Sequence, residues 1–266
     1  MNRLNPATAL LGTPSRRAAL ATLLVGALAF VSAVLPVSAQ AQSGSGTALT
    51  EMRSVESFEA ISVSGAMDVV VRQGAQQSVQ VQADDNLLPL LETVVESGRN
   101  GPTLQVRWKR NGGGSWWNSQ SIYPRTKVLV TVIVPKLNAV GLAGSGDLRV
   151  ESFQTPSLQL SLSGSGDARL DGLTTDELGV RISGSGDVSG RGKASTVKIN
   201  IAGSGDVRLS DMRADDVSVS IAGSGDAAVN AQKALSVSIA GSGDVRYSGE
   251  AQVKSSVAGS GSVRKL

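Results

Sequence analysis

The tetrapeptide Gly-Ser-Gly-Asp occurs six times in this chain, beginning at Gly144, Gly164, Gly184, Gly203, Gly223 and Gly241. A seventh copy, Gly259-Ser260-Gly261-Ser262, has lost its Asp, and successive starts lie 20, 20, 19, 20, 18 and 18 residues apart. A fixed period of this length means one supersecondary unit stacked on itself. It sets the architecture of residues 137–266.

Within a unit the residues alternate. Leu158, Leu160, Leu162, Gly164, Gly166, Ala168 and Leu170 share one parity, and Gln159, Ser161, Ser163, Ser165, Asp167 and Arg169 share the other. The pattern recurs from Val197 to Leu209 and from Leu235 to Val245. Strict alternation predicts half-buried strands. Each unit reads as an apolar strand, a Gly-Ser-Gly corner, a second short strand and a polar turn. Both corner glycines fall on the inward parity, where a tight bend leaves no room for a side chain. Phosphate cradling by these glycines is the weaker reading, because another strand follows where a helix and a Lys are needed.

One unit cannot fold alone. It buries about five aliphatic side chains at ~1.5–3 kcal/mol each, while ordering its backbone costs ~1–2 kcal/mol per residue. Stacking is therefore obligatory. The expected fold is all-β, a parallel β-helix-like solenoid of 18–20-residue repeats, with coils ~4.8 Å apart. A sandwich or propeller is the competing layout, and a propeller would need two repeats per blade.

The remaining segments divide as follows. Residues 1–41 read as a signal peptide: Arg3, Arg16 and Arg17 precede the apolar stretch Ala18 to Leu35, and Val37-Ser38-Ala39 or Ala39-Gln40-Ala41 offers a cleavage site. A retained membrane anchor is the alternative, and Ser15-Arg16-Arg17 faintly resembles a twin-arginine signal. Residues 42–50, with Ser43-Gly44-Ser45-Gly46, read as a flexible linker. Residues 51–136 read as an irregular β-rich N-terminal cap. Inside it, Phe58 to Arg72 looks like a degenerate repeat with Asp68 at the repeat Asp position, and Asn86 to Glu96 reads as a short helix limited by Pro89.

Removing the three leader arginines from 25 basic residues leaves 22, against 22 acidic ones. A mature charge near zero argues against a nucleic-acid partner. No segment beyond the leader is long and apolar enough to span a bilayer. There is no Cys for a disulfide and no His. Ser-His-Asp and Cys-His catalysis and ordinary zinc sites are thereby excluded.

The chain resembles the bacterial family of putative auto-transporter adhesin head GIN domains over about residues 55–262. The resemblance rests on the Ser-Gly-Ser-Gly-Asp-Val repeats, on the entry Phe58-Glu59-Ala60-Ile61-Ser62-Val63-Ser64-Gly65, and on Val132-Ile133-Val134-Pro135-Lys136-Leu137. It implies a right-handed β-helix-like fold on an exported bacterial protein, and it supplies no catalytic residues.

Two clusters remain as candidate sites. Asp147, Asp167, Asp187, Asp206, Asp226 and Asp244 share one outward position. Neighbouring carboxylates at ~4.8 Å repel by roughly 1 kcal/mol even in water. Arg149, Arg169, Arg208 and Arg246 lie two residues later, within diagonal reach. One reading is a structural Asp/Arg ladder in which Asp also bonds turn amides. The other is a row of weak Ca²⁺ sites, although calcium wants six to eight oxygens. The second cluster is Trp116, Trp117 and Tyr123 around a Gly-rich loop, either folded back over the first coil or stacking on a sugar or a protein partner.

The functional expectation is a non-enzymatic exported binding or envelope-structural module, an adhesin, located in the periplasm, on the outer surface or outside the cell. Its expected partner is a glycan or an envelope or surface protein, and it needs no cofactor beyond weak Ca²⁺. The alternative is a carbohydrate-active β-helix enzyme, a lyase or hydrolase using the repeat carboxylates. Such acids normally sit among aromatic subsites, which the repeats lack.

Overall fold

The computed structural model describes residues 42–109 and 121–266. Those residues form strands from end to end. In the N-terminal part they are β1 (Gln42–Ser43), β2 (Ala48–Arg53), β3 (Ala60–Ser64), β4 (Asp68–Gln73), β5 (Ser78–Asp84), β6 (Leu91–Gly98), β7 (Gly101–Trp108), β8 (Ile122–Tyr123) and β9 (Leu129–Val134). The repeats supply β10 (Ala139–Gly144), β11 (Leu148–Glu151), β12 (Gln154–Gly164), β13 (Ala168–Gly184), β14 (Val188–Gly203), β15 (Val207–Gly223), β16 (Ala227–Gly241), β17 (Val245–Ser248), β18 (Gln252–Gly259) and β19 (Val263–Lys265). Among the described residues no helix is long and apolar enough to cross a membrane.

The chain is a β-solenoid. Each coil pairs in parallel with the next at a shift of one repeat. Ile182 sits against Ile201, Ile201 against Ile221, Ile221 against Ile239 and Ile239 against Val257. Columns of like aliphatic residues result, and from Phe58 to Val245 they form one continuous buried core. The repeat period makes this possible: a residue stacks on its own equivalent, so every coil fills the same cross-section.

The polar stretch of each repeat is not a separate turn. β13, β14, β15 and β16 run unbroken from one corner to the next. They bend at register shifts between Asp171 and Leu173, Ser189 and Arg191, and Leu209 and Arg213. Bulges let a strand bend without losing its pairing. Leu173, Met212, Ala214 and Ala231 are buried along this stretch and join the core.

The first corner glycine of every repeat has a positive φ, between +126° and +142°, as a bend open only to Gly requires, and the neighbouring coil adds a second reason. The second glycine of each of the six Gly-Ser-Gly-Asp repeats is buried, but the first is half-exposed or exposed. At Gly184 φ is +140°, and an added Cβ would overlap the carbonyl oxygen of Gly164 one coil below. At Gly186 it would overlap that of Gly166. The excluded volume is the neighbouring coil's backbone, not the inside of the bend.

The N-terminal region adds coils in an order that differs from the chain order. β3 lies between β7 and β10, with Ile61 facing Leu104 on one side and Val140 on the other. β4 likewise lies between β9 and β11. Residues 60–73 are thus a true coil, inserted between 101–134 and 139–151. The stack ends beyond β7 and β9, where the pairing turns antiparallel: β6 covers β7, β5 covers β9, and β2 covers β5. The parallel edges of β7 and β9 are thereby covered by the chain itself, and the outer edges pass to β6 and β2, each with one partner among the described residues.

Two expectations are corrected here. Residues 42–50, expected as a flexible linker, contain β1 and the start of β2, paired with β8 and β5. The helix expected at 86–96 is one 3₁₀ turn, Leu88–Leu90, after which β6 begins at Leu91. Pro89 restricts the turn, and continuous antiparallel pairing with β7 makes a strand beyond it.

Candidate functional site

The Asp column is a hydrogen-bonded ladder between coils. Oδ1 of Asp68 accepts from the backbone N–H of Asp147 at 3.0 Å. Asp147 accepts from Asp167 at 3.4 Å, Asp167 from Asp187 at 2.9 Å and Asp187 from Asp206 at 2.9 Å. Asp206 accepts from Asp226 at 2.9 Å and Asp226 from Asp244 at 2.8 Å. Each rung is reciprocated by the backbone. The N–H of Val188, after Asp187, donates to the carbonyl of Asp206 at 2.8 Å, and Leu148, Ala168, Val207 and Ala227 repeat the pattern. At the corner, where a side chain must stand in for the strand ladder, a short carboxylate reaches the next coil's amide.

The ladder ends at Ser262. Asp244 accepts both its N–H, at 2.9 Å, and its hydroxyl, at 2.8 Å. These two bonds, the hydroxyl first, hold the Asp244 carboxyl below its ordinary range, with Arg264 and Arg246 adding to the effect.

The arginines follow the ladder less closely than expected. Arg208 bridges two rungs, reaching Asp187 and Asp206 at 2.8 Å each. Its pKa is raised, chiefly by the bond to Asp187. Arg169 turns instead to Asp171 at 3.0 Å, which also meets Arg191 at 3.3 Å. Arg149 lies 3.9 Å from Glu151, whose closer partner is Arg72 at 2.7 Å. Lys127 pairs with Asp68 and its pKa rises accordingly. Between these groups runs an open groove of about 470 Å³ lined by Lys127, Asp147, Arg149, Asp167, Arg169 and Arg208. A second groove of about 240 Å³, with Ser62, Arg99, Gln105, Gly141, Gln159 and Ser161 in its lining, opens among the outward residues of β3, β7, β10 and β12. Among the described residues no three carboxylates converge as a metal site would require.

Trp116 and Trp117 lie outside the described residues. Tyr123 is exposed on β8, paired in parallel with Ser43 of β1. The segment just after β8 is fixed by Asp84, a residue that sequence reasoning missed. Asp84 is fully buried, and its carboxylate accepts the amides of Gly46 at 2.7 Å, Arg125 at 3.0 Å and Thr126 at 3.1 Å. Burial raises its pKa, but the amides together outweigh burial and hold it below the ordinary value. Gly44 leaves the space, since a Cβ there would overlap that carboxyl group. One acid thus ties Gly46, Arg125 and Thr126 to the end of β5.

The family described as putative auto-transporter adhesin, head GIN domain, matches residues 57–251. The chain belongs to this family. The match runs from β3 to β17, and so includes the inserted coil, the cap strands β5 and β6 and most of the repeats. A putative lipid binding protein from Parabacteroides distasonis is 25% identical, with TM-score 0.71 over 85% of this chain and all of that one. A putative adhesin from Bacteroides fragilis is 23% identical, with TM-score 0.74 over 84% of this chain and 99% of that one. A putative adhesin from Parabacteroides merdae is 23% identical, with TM-score 0.64 over 84% and 98% of the two chains. No curated protein matches. The adhesin neighbours share the GIN-domain fold, and none of the three is described as an enzyme.

Proposed function

We propose that this GIN-domain protein is an exported, non-enzymatic binding module that offers the outer faces of its solenoid to a glycan or to an envelope or surface protein. One observation carries this reading. The repeated acids, the most plentiful candidates for chemistry, each spend one carboxylate oxygen on the backbone amide of the next coil. That oxygen is committed to joining coils, which gives the repeated acid a structural task. What remains for recognition is the surface: the charged groove beside the ladder and the loop base carrying Tyr123. Export rests on the leader-like sequence of residues 1–41 together with the adhesin family.

A second reading, lipid binding, takes its support from the Parabacteroides distasonis neighbour. Presenting the purified protein to a glycan array, to immobilised envelope extract and to phospholipid vesicles distinguishes the two. Saturable retention on glycan or envelope protein that weakens in an Arg149→Ala, Arg169→Ala double variant supports the first reading. Retention on vesicles alone supports the second, and turnover of a polysaccharide overturns both.

A further inference from the structure

The two ends of the solenoid are built differently. At the N-terminal end antiparallel strands cover the last parallel coil. At the other end β18 pairs with β16, and among the described residues nothing pairs with its outer edge. All eight residues of β18 are exposed. Val253, Ser255 and Val257 occupy the inward positions that Leu235, Val237 and Ile239 fill below them. Those lower residues are buried, whereas Val253 and Val257 are 37% and 40% exposed. An open strand edge and an uncovered layer of core thus coincide.

We propose that this edge pairs with β18 of a second copy, antiparallel, about a two-fold axis through Ser255. Three observations select that occupant. First, a head-to-tail addition would have to join β18 to β6 or β2, antiparallel strands that do not continue the repeat's stack, whereas a two-fold pair joins like edges and closes. Second, the column that would bond a further parallel coil stops, because position 262 is Ser and offers no carboxylate. Third, β18 is self-complementary about Ser255. Val253 falls opposite Val257 of the second copy, so both inward valines are covered. Lys254 falls opposite Ser256 and Gln252 opposite Ala258, so the lysines do not face each other. The cap shows that parallel edges of this chain accept antiparallel strands, as β9 accepts β5.

The test is the mass of the purified protein by sedimentation or light scattering, with three variants. The wild type is expected to be a dimer. Val257→Lys is expected to be a monomer with an unchanged β-type circular dichroism spectrum. Ser255→Cys, in a chain with no other cysteine, is expected to cross-link to a dimer on mild oxidation, because the two residues meet at the axis. Lys254→Cys is expected to stay uncross-linked. If Val257→Lys fails to fold, the two cysteine variants decide. A monomeric wild type, a ladder of higher oligomers, a folded Val257→Lys that stays dimeric, or equal cross-linking of both cysteine variants would each overturn the proposal.

Discussion

The backbone N–H of Asp206 donates to Oδ1 of Asp187 at 2.9 Å, while the N–H of Val188 donates to the carbonyl of Asp206 at 2.8 Å. The two bonds close a ring between coils at the point where the Gly-Ser-Gly corner interrupts the ordinary strand ladder. This gives the repeated Asp a structural task. It also predicts how its substitutions rank.

Asp187→Asn keeps an oxygen for the Asp206 amide and loses the ion pair with Arg208. An exposed ion pair is worth ~0–1 kcal/mol, so its stability should fall within that range. Asp187→Ala leaves the amide without its acceptor and should cost more, about 1–3 kcal/mol. Chemical denaturation of both variants measures the order. Equal losses in the two would deny the rung its role.

At the corner, Gly186→Ala places a methyl group on the carbonyl of Gly166. Backbone cannot yield as a side chain does, so a loss of about 3 kcal/mol or more is expected, at the severe end of single substitutions. Ser185→Ala, between the two glycines and exposed, should stay within about 0.5 kcal/mol of wild type. Thermal melts of the pair check the contrast.

Much of this could be read from the sequence, because period and coil length coincide. Once Leu158, Leu160 and Leu162 share a parity and the unit repeats, the inward columns and the position of the Asp row follow. Other features depend on long-range pairing that no local pattern encodes. The coil at 60–73 was recognisable from Ile61, Val63 and Asp68, but not its insertion between 101–134 and 139–151. The polar stretch around Asp211 looked like a turn because bulges break its alternation. Asp84 sits in Ala83-Asp84-Asp85-Asn86, which reads locally as a solvated turn. Its importance comes from Gly46 and Arg125, about forty residues away on either side.

Asp84 makes the cap sensitive to acid. Its folded pKa lies below the ordinary value of 3.8. The stabilisation is therefore complete above that value and is lost as pH falls through the lower, folded one. Stability should be level from neutral pH down to about pH 4 and drop below it. Asp84→Asn, which cannot accept all three amides, should be weaker at neutral pH and flatter in that acid range. Denaturation midpoints for both proteins between pH 7 and pH 2.5 test this. An acid limb unchanged in the variant would assign the sensitivity elsewhere.

Calcium offers a separate check on the ladder. An ion bound to the native state would raise the melting temperature by mass action. With Oδ1 already engaged by an amide at each rung, millimolar calcium and a chelator should give the same melting temperature. A rise with calcium that disappears in both Asp187→Asn and Asp206→Asn would make the column a cation site.

The central claim is that this GIN-domain solenoid binds at its surface and performs no chemistry there. The most direct measurement incubates the purified protein with a panel of envelope and extracellular polysaccharides, recording retention and product release together. Saturable retention with no new reducing or unsaturated ends is the predicted result. Product that accumulates with the wild type and vanishes when Asp147 or Asp167 is changed to Asn would contradict it.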